Sequence, residues 1–303
     1  MTLQLITPPP HQGPGLPYGE QVENARLALP GDLPQDPSQL LVALDVDGTL
    51  LTAEGASPNV RRTVGSAIDA GMNLVIATGR GIPATRPVFE ELELNEGYSV
   101  SSNGAQTIRW SRQHNGQLTY DKVGEVYFDP RAAVEAILAV IPGTHLAMDC
   151  GNERMNVNLE FPPGELASIQ DLRDLEQLLV DPAVRMVIRA PWMSREEFAE
   201  AIAAADLSEF ECAIGWTAWA DVTALGTTKA QSLKGLAELL GIHPRGTIAI
   251  GDGSNDIAML NWAAHGVAMG GAAPEVVAAA KTTTGAVDHD GAAAVLDALL
   301  ERY

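Results

Sequence analysis

The sequence predicts an α/β protein: a doubly wound parallel sheet with an inserted α+β cap domain. Three observations carry this. Apolar runs that stop abruptly in small or polar residues alternate with amphipathic helical patterns, at "LLVALD", "MNLVIAT", "YSVSSNGA" and "TIAIGDG". Strands of that kind with helices between them form a parallel sheet covered on both faces. The alternation breaks in the middle of the chain. There "QLTYDKVGEVYFD" and "THLAMDCGNERMNVNLEF" read as antiparallel strands, and "VRMVIRAP" and "FECAIGWTAWADVT" as further strands. It resumes at "GTTKAQSLKGLAELLGI" and "TIAIGDGSNDIAML", so the middle segment interrupts one sheet.

In chain order, residues 1–38 hold eight prolines, Pro8, Pro9, Pro10, Pro14, Pro17, Pro30, Pro34 and Pro37. Proline lacks an N–H and disfavours regular structure, so this stretch is expected to be an extended arm. Residues 39–108 form the first half of the core, with helices at "NVRRTVGSAIDAG" and "IPATRPVFEELEL". Residues 109–221 form the insert, with helices at "PRAAVEAILAVI", "ELASIQDLRDLEQLLV" and "SREEFAEAIAAADL". Residues 222–303 complete the core, with a further helix at "APEVVAAAK". An insert between two strand ends would roof whatever those ends hold, with hinges expected near Ile108 and Asp221.

The bulk composition narrows the partners. A chain of 303 residues suits two modest domains, and 46% hydrophobic with 5% aromatic content implies a core of Ala, Leu and Val. Lys plus Arg is 19 against 39 Asp plus Glu, a net charge of −20. That charge repels nucleic acid and anionic membranes. An anionic substrate would need a local reversal of the field, which a bound cation supplies. The only cysteines, Cys150 and Cys212, lie 62 residues apart without a Cys-x-x-Cys, against structural zinc and in keeping with a reducing cytoplasm. No apolar run reaches 18 residues, and the first twenty lack the basic and apolar regions of a secretory leader.

The chemistry gathers at strand ends, where ligands of such sheets bind. Asp45, Thr78 and Asp252 each stand at or just past one. Asp45 and Asp47 begin on one face of a strand and diverge as it frays, so one can attack while the other transfers a proton. The bland use of such a pair is to cap a loop. Gly48 permits a tight turn, and Thr49 adds a hydroxyl beside the carboxylates. Gly251 and Gly253 bracket Asp252 without forming a G-x-G-x-x-G, which argues against a dinucleotide site. Asp45, Asp47 and Asp252 are hard oxygen donors that suit Mg2+ held together with a phosphate. Thr78 and Gly79 offer a hydroxyl and an N–H to a phosphoryl oxygen. Asp256 reads as a helix cap. Lys229 opens a helix, where the dipole disfavours a cation, so it either neutralises carboxylates or phosphate or is simply solvated.

"DVDGTL", Thr78, Lys229 and "GDGSND" stand in the order of the four motifs of the haloacid dehalogenase-like (HAD) phosphohydrolases, which the chain resembles. "DGTLLTAEGASP", "ATGR", "SSNGA" and "DHDGAAAVLDALL" resemble the Cof-type branch, over residues 40–108 and 221–303. The resemblance implies a Rossmann-like core with a C2-type cap, and a phosphatase acting through an aspartyl-phosphate. Asp45 would be the nucleophile and Asp47 the general acid and base. Mg2+ would be held by Asp45, Asp252 and Asp47, the last through its carbonyl, with Asp256 orienting the site from behind. Thr78, Gly79, Lys229 and Asn255 would hold the phosphoryl oxygens. The expected substrate is a small phosphorylated metabolite, a sugar phosphate foremost. Arg154, Asn156, Asn158, Arg189, Trp192, Trp216 and Trp219 are cap candidates by residue type. A phosphomutase on the same fold and a non-catalytic phosphate-binding regulator are the alternatives.

Overall fold

Four residues, Leu41–Leu44, run through the centre of the molecule and are completely buried. Val42 and Leu44 pack into one hydrophobic cluster, Leu41 and Ala43 into another on the opposite face. That period of two is what a strand covered on both sides imposes. The computed structural model describes residues 15–303.

The first part of the chain comprises α1 (Tyr18–Ala28), β1 (Leu41–Leu44), β2 (Leu51–Thr52), β3 (Gly55–Ala56), α2 (Pro58–Asp69), β4 (Asn73–Ala77), α3 (Ile82–Glu91), β5 (Glu96–Ser101), β6 (Gln106–Arg112) and β7 (Leu118–Glu125). The middle comprises α4 (Arg131–Val140), β8 (His145–Asp149), β9 (Arg154–Val157), β10 (Ile169–Leu172), α5 (Leu175–Leu178), β11 (Arg185–Arg189), α6 (Arg195–Ala204), β12 (Phe210–Ile214) and β13 (Trp219–Ala224). The last part comprises α7 (Lys229–Leu239), β14 (Thr247–Gly251), α8 (Ile257–Trp262), β15 (His265–Ala268), α9 (Pro274–Ala279), β16 (Thr282–Thr283) and α10 (Gly291–Leu300).

Among the described residues, eight strands form the core sheet in the order β16-β15-β14-β1-β4-β5-β6-β7. It is parallel from β16 to β5 and antiparallel across β6 and β7. α2, α3 and α10 supply apolar residues to one face, and α7, α8 and α9 to the other. The strand order reverses around β1, so loops from β1, β4 and β14 meet there. The second sheet, β10-β9-β8-β11-β13-β12, forms the cap. α4 and α6 cover one of its faces through Val134, Ile137, Phe198 and Ile202. Its other face, with Met155, Val187 and Trp219, turns toward the core loops.

The structure corrects several expectations. Residues 109–125 belong to the core sheet rather than to the insert, because β6 pairs with the whole of β5 and β7 with β6. The cap sheet also runs to Ala224 rather than stopping at 221. The hinge expected at Ile108 is the middle of a paired strand, and Asp221 lies within the cap sheet. The chain crosses instead around Tyr127, between the Val126 N–H bonded to Ala105 and the Phe128 pairing with Ala183, and again after Ala224.

The helix expected over 165–180 does not form; a short strand, a single helical turn and irregular chain take its place. β10 lies parallel to β9, and only one helical turn, α5, remains. Ladder bonds to β9 outweigh the three-residue spacing of Leu166, Ile169, Leu172 and Leu175.

The arm predicted for 1–38 contains α1; residues 1–14 lie outside the described residues. Its prolines flank the helix instead of interrupting it. Pro17 stands at its start, where a missing N–H is harmless, and Pro30 follows its end. Val22 and Ala25 bury against the body. The Tyr18 hydroxyl donates to Asp297 on α10 at 2.7 Å, and the Gln21 amide to the His289 carbonyl at 3.0 Å.

Candidate active site

Asp45 follows the last residue of β1, and its N–H donates to the Ile250 carbonyl at 3.0 Å, extending the pairing with β14 by one step. The chain then wraps around the Val46 carbonyl, which accepts from the N–H groups of Thr49, Leu50 and Leu51 at 3.3, 2.9 and 2.9 Å. Gly48 makes the bend at φ 84°, a conformation side chains resist. Val46 points into the core. The two aspartates are thereby turned toward different partners.

Lys229 is fully buried beneath the site, and its ammonium donates to Asp45 Oδ1 and Asp256 Oδ1, both at 2.6 Å. Asp256 also accepts from the N–H groups of Asp252 and Gly253 at 3.0 and 2.9 Å, bracing the loop after β14. The Thr49 hydroxyl donates to Asp252 Oδ1 at 3.2 Å. Burial drives the Asp45 carboxyl upward, to about 7, and repulsion from Asp256 adds to this. Asp252 is raised for the same reason, by burial and then by Asp45. Burial alone would lower Lys229, but Asp256 and Asp45 outweigh it and hold the ammonium charged.

Asp45, Asp252 and Asp256 bring carboxylate oxygens within 4.8 Å of one another, all buried. Three carboxylates against one ammonium leave an excess of two negative charges in a desolvated place. A divalent cation offsets that excess, and oxygen donors suit a hard one, so the residues fit a metal ion. Both oxygens of Asp256 already accept hydrogen bonds, which leaves Asp45 and Asp252 as the carboxylates open to a metal. The Asp47 carboxylate stands apart from this group. It accepts from Arg80 Nη2 at 2.6 Å and from Arg80 Nε at 2.9 Å.

Asp45, Asp47, Thr78, Gly79, Asp252 and Asn255 line one cavity of about 270 Å3 between core and cap, so these predicted residues do come together. Lys229 and Asp256 lie behind its floor. The Thr78 hydroxyl accepts from the Arg80 N–H at 3.1 Å, which curls the loop after β4 around the cavity. Of the cap candidates, Trp216 and Trp219 line it. The others do not. Arg154 is exposed and paired with Asp171; Asn156 donates to Cys150 Sγ at 3.8 Å. Asn158 accepts from the Leu146 N–H at 2.7 Å, Arg189 is bound to Glu165 at 2.9 Å, and Trp192 is exposed with its ring tilted against that of His145.

Three residues that residue type alone did not single out also line the cavity: Arg80, Asn103 and Arg185. Arg185 reaches from β11 to donate to the Gly79 carbonyl at 2.7 Å, tying the cap to a core loop. Alternation along "RMVIR" was the available signal. Met186 and Ile188 pack on the helices, so Arg185 and Arg189 must take the other face.

A family model for haloacid dehalogenase-like hydrolases matches residues 42–296. The 5-amino-6-(5-phospho-D-ribitylamino)uracil phosphatase YitU of Bacillus subtilis is 28% identical over 272 residues, 84% of this chain and 96% of that protein. The phosphatase of the same description from Escherichia coli, YbjI, is 27% identical over 267 residues, 86% of this chain and 96% of its own. A solved phosphatase of the haloalkanoate superfamily from Bacteroides thetaiotaomicron superposes with a TM-score of 0.67 at 26% identity, covering 90% of this chain and 98% of that one. A subclass IIB sugar phosphatase shares the fold with a TM-score of 0.69 at 23% identity, covering 87% and 100%. With the family model spanning both halves of the core and the cap between them, the chain belongs to the haloacid dehalogenase-like hydrolases and is an enzyme of their Cof-type branch.

Proposed function

We propose that this chain is a cytoplasmic, magnesium-dependent phosphatase of small phosphorylated metabolites, working through an aspartyl-phosphate. The observation that carries the reading is the position of Asp45. It is a buried carboxylate at a strand end, fastened through Oδ1 to Lys229 and facing the cavity. Its free oxygen attacks phosphorus as the bond from phosphorus to the ester oxygen breaks. Asp47 supplies the proton that the departing alcohol needs. Asp47, now a carboxylate, takes a proton from water, which attacks phosphorus; the acyl-phosphate bond breaks, inorganic phosphate leaves and Asp45 is restored. Asp45 and Asp252, with the Asp47 carbonyl, would hold Mg2+, which supplies positive charge opposite the phosphoryl oxygens. Thr78, Gly79 and Asn255 hold those oxygens from the cavity side. Lys229 opposes protonation of Asp45 and keeps it aimed. Donors placed where charge gathers are the main catalytic resource for phosphoryl transfer.

The leaving group is read from the cap. Trp216 and Trp219 give it flat apolar walls, while Arg195 and Asp221 bring polar groups to the same cavity. A sugar or polyol phosphate fits such a mixture, and the relatives named above act on a ribityl phosphate. The test is phosphate release from a panel of phosphorylated metabolites with Mg2+. Release abolished in Asp45→Asn with an unchanged melting profile supports the reading. No release from any phosphomonoester would overturn it, and a preference for phosphoprotein would overturn the substrate class.

A further inference from the structure

We infer that Asp221 of the cap, acting through Asn103, sets the orientation of the Asn255 carboxamide and so tunes phosphate binding in the core. The inference rests on the reading that Asn255 holds a phosphoryl oxygen. Asp221 Oδ1 faces Arg185 Nη1 at 3.4 Å and Trp219 Nε1 at 3.3 Å, and neither group has an acceptor. Its Oδ2 accepts from Asn103 Nδ2 at 3.2 Å. The amide nitrogen of Asn103 is thus committed to the cap. Only its oxygen is left for the core, and it accepts from Asn255 Nδ2 at 2.9 Å.

A flipped Asn103 would set its oxygen against the Asp221 carboxylate and its NH2 against the NH2 of Asn255. Both contacts repel, so one carboxylate decides the orientation of two amides. The Asn255 amide nitrogen keeps one N–H free for the cavity.

Asn103 has little other freedom. Its N–H donates to the Thr78 carbonyl at 3.1 Å, and its backbone is left-handed at φ 54°, following Ser102 at φ 52°. Two such non-glycine residues in succession are costly and mark a place the surrounding structure holds firmly. Asn103, Asp221 and Asn255 also form part of the wall of a second cavity of about 280 Å3, lined further by Cys212 and Thr223. The released amides would have room to turn into it. Because Asp221 stands on β13 of the cap and the two asparagines on core loops, the orientation depends on the cap being seated.

The experiment uses p-nitrophenyl phosphate turnover with Mg2+, and competitive inhibition by inorganic phosphate, which has no leaving group. Asp221→Asn presents either an oxygen or an NH2 to Asn103, so the orientation is lost. We expect kcat to fall about tenfold, the size of coupling usual for groups in one hydrogen-bond network. Inhibition by inorganic phosphate should weaken in parallel. Both effects should vanish in an Asn255→Ala background. Asn103→Gly, which keeps the left-handed backbone and every other partner of Asp221, should reproduce them, and it decides the matter if Asp221→Asn fails to fold. An equal penalty with and without Asn255, or unchanged inhibition by inorganic phosphate in folded variants, would overturn the inference. If the wild-type protein neither turns over p-nitrophenyl phosphate nor binds inorganic phosphate, the functional reading fails first and takes this inference with it.

Discussion

The carboxylate of Asp47 is gripped by the guanidinium of Arg80 through two hydrogen bonds, at 2.6 and 2.9 Å, just above the floor that holds Asp45. A two-point contact of this kind fixes a carboxylate in both position and plane. For Asp47 to deliver a proton, one of the two bonds must be given up while the other keeps it aimed. Arg80→Ala should therefore cost most where the leaving group needs a proton. We expect a rate loss of roughly tenfold or more on an alkyl phosphate, within the range general acid catalysis contributes, and much less on p-nitrophenyl phosphate. Equal losses on both substrates would assign Arg80 a purely structural part.

Among the described residues, Lys229 is the one cation in contact with Asp45 and Asp256. Lys229→Met removes it while leaving the carboxylates buried. Breaking a buried pair by deleting one partner costs about 3–5 kcal/mol, because the remaining charge has no compensation. Denaturant unfolding in a chelator should show a loss of that size. Adding magnesium should recover part of the stability and none of the phosphate release.

The raised carboxyls of Asp45 and Asp252 give metal binding a defined pH dependence. In the metal-free fold these groups hold protons more tightly than in the unfolded chain. Their penalty is absent at acid pH, grows as pH rises above the ordinary carboxylate range, and for Asp45 is complete above about 7. Mg2+ removes the penalty but must displace those protons. The rise in melting temperature on adding Mg2+ should accordingly be larger at about pH 8 than at about pH 5.5. A shift independent of pH would contradict the assignment of these carboxylates to the metal.

Gly104 lies at φ 106°, and a Cβ there would come within 2.3 Å of the Thr228 carbonyl oxygen and 3.1 Å of the Lys229 nitrogen. The backbone that starts α7 would have to move, and Lys229 with it. Gly104→Ala combines overpacking with a left-handed backbone, for a loss of about 2–4 kcal/mol. Activity should fall further than occupancy of the folded state explains, as parallel melting and turnover measurements would reveal.

Much of the site was legible because it is built at strand ends. Asp45, Thr78 and Asp252 close apolar runs, and such ends converge wherever a parallel sheet reverses its order. Lys229 was legible because a cation is out of place at a helix start unless something negative waits for it. The pairing of Asp47 with Arg80 was not, since it depends on how the loop after β4 curls around Thr78. Nor was Asn103, whose role comes from a left-handed backbone and from which end of its amide faces the cap. The antiparallel character of residues 117–125 was visible, but their partner β6 was not read as a strand, and pairing partners are a property of the whole fold; the hairpin joined the core sheet. α1 was hidden by the prolines on either side of it.

The position of β1 between β4 and β14 also bears on how the protein is made. Leu41 pairs with Thr247, so one edge of the central strand stays open until the ribosome has produced some two hundred further residues, the cap among them. The cap strands come from one continuous stretch and, among the described residues, pair with one another. β1 and the carboxylates that follow it, by contrast, wait beside β4 with one strand edge unpaired, the kind of surface that invites association with other chains. Asp45 and Asp252 meet only when β14 docks, and α1 finds its surface only when α10 follows. On the proposed mechanism a nascent chain is without hydrolytic capacity until late in its synthesis, and its most vulnerable edge is the strand that ends at Asp45.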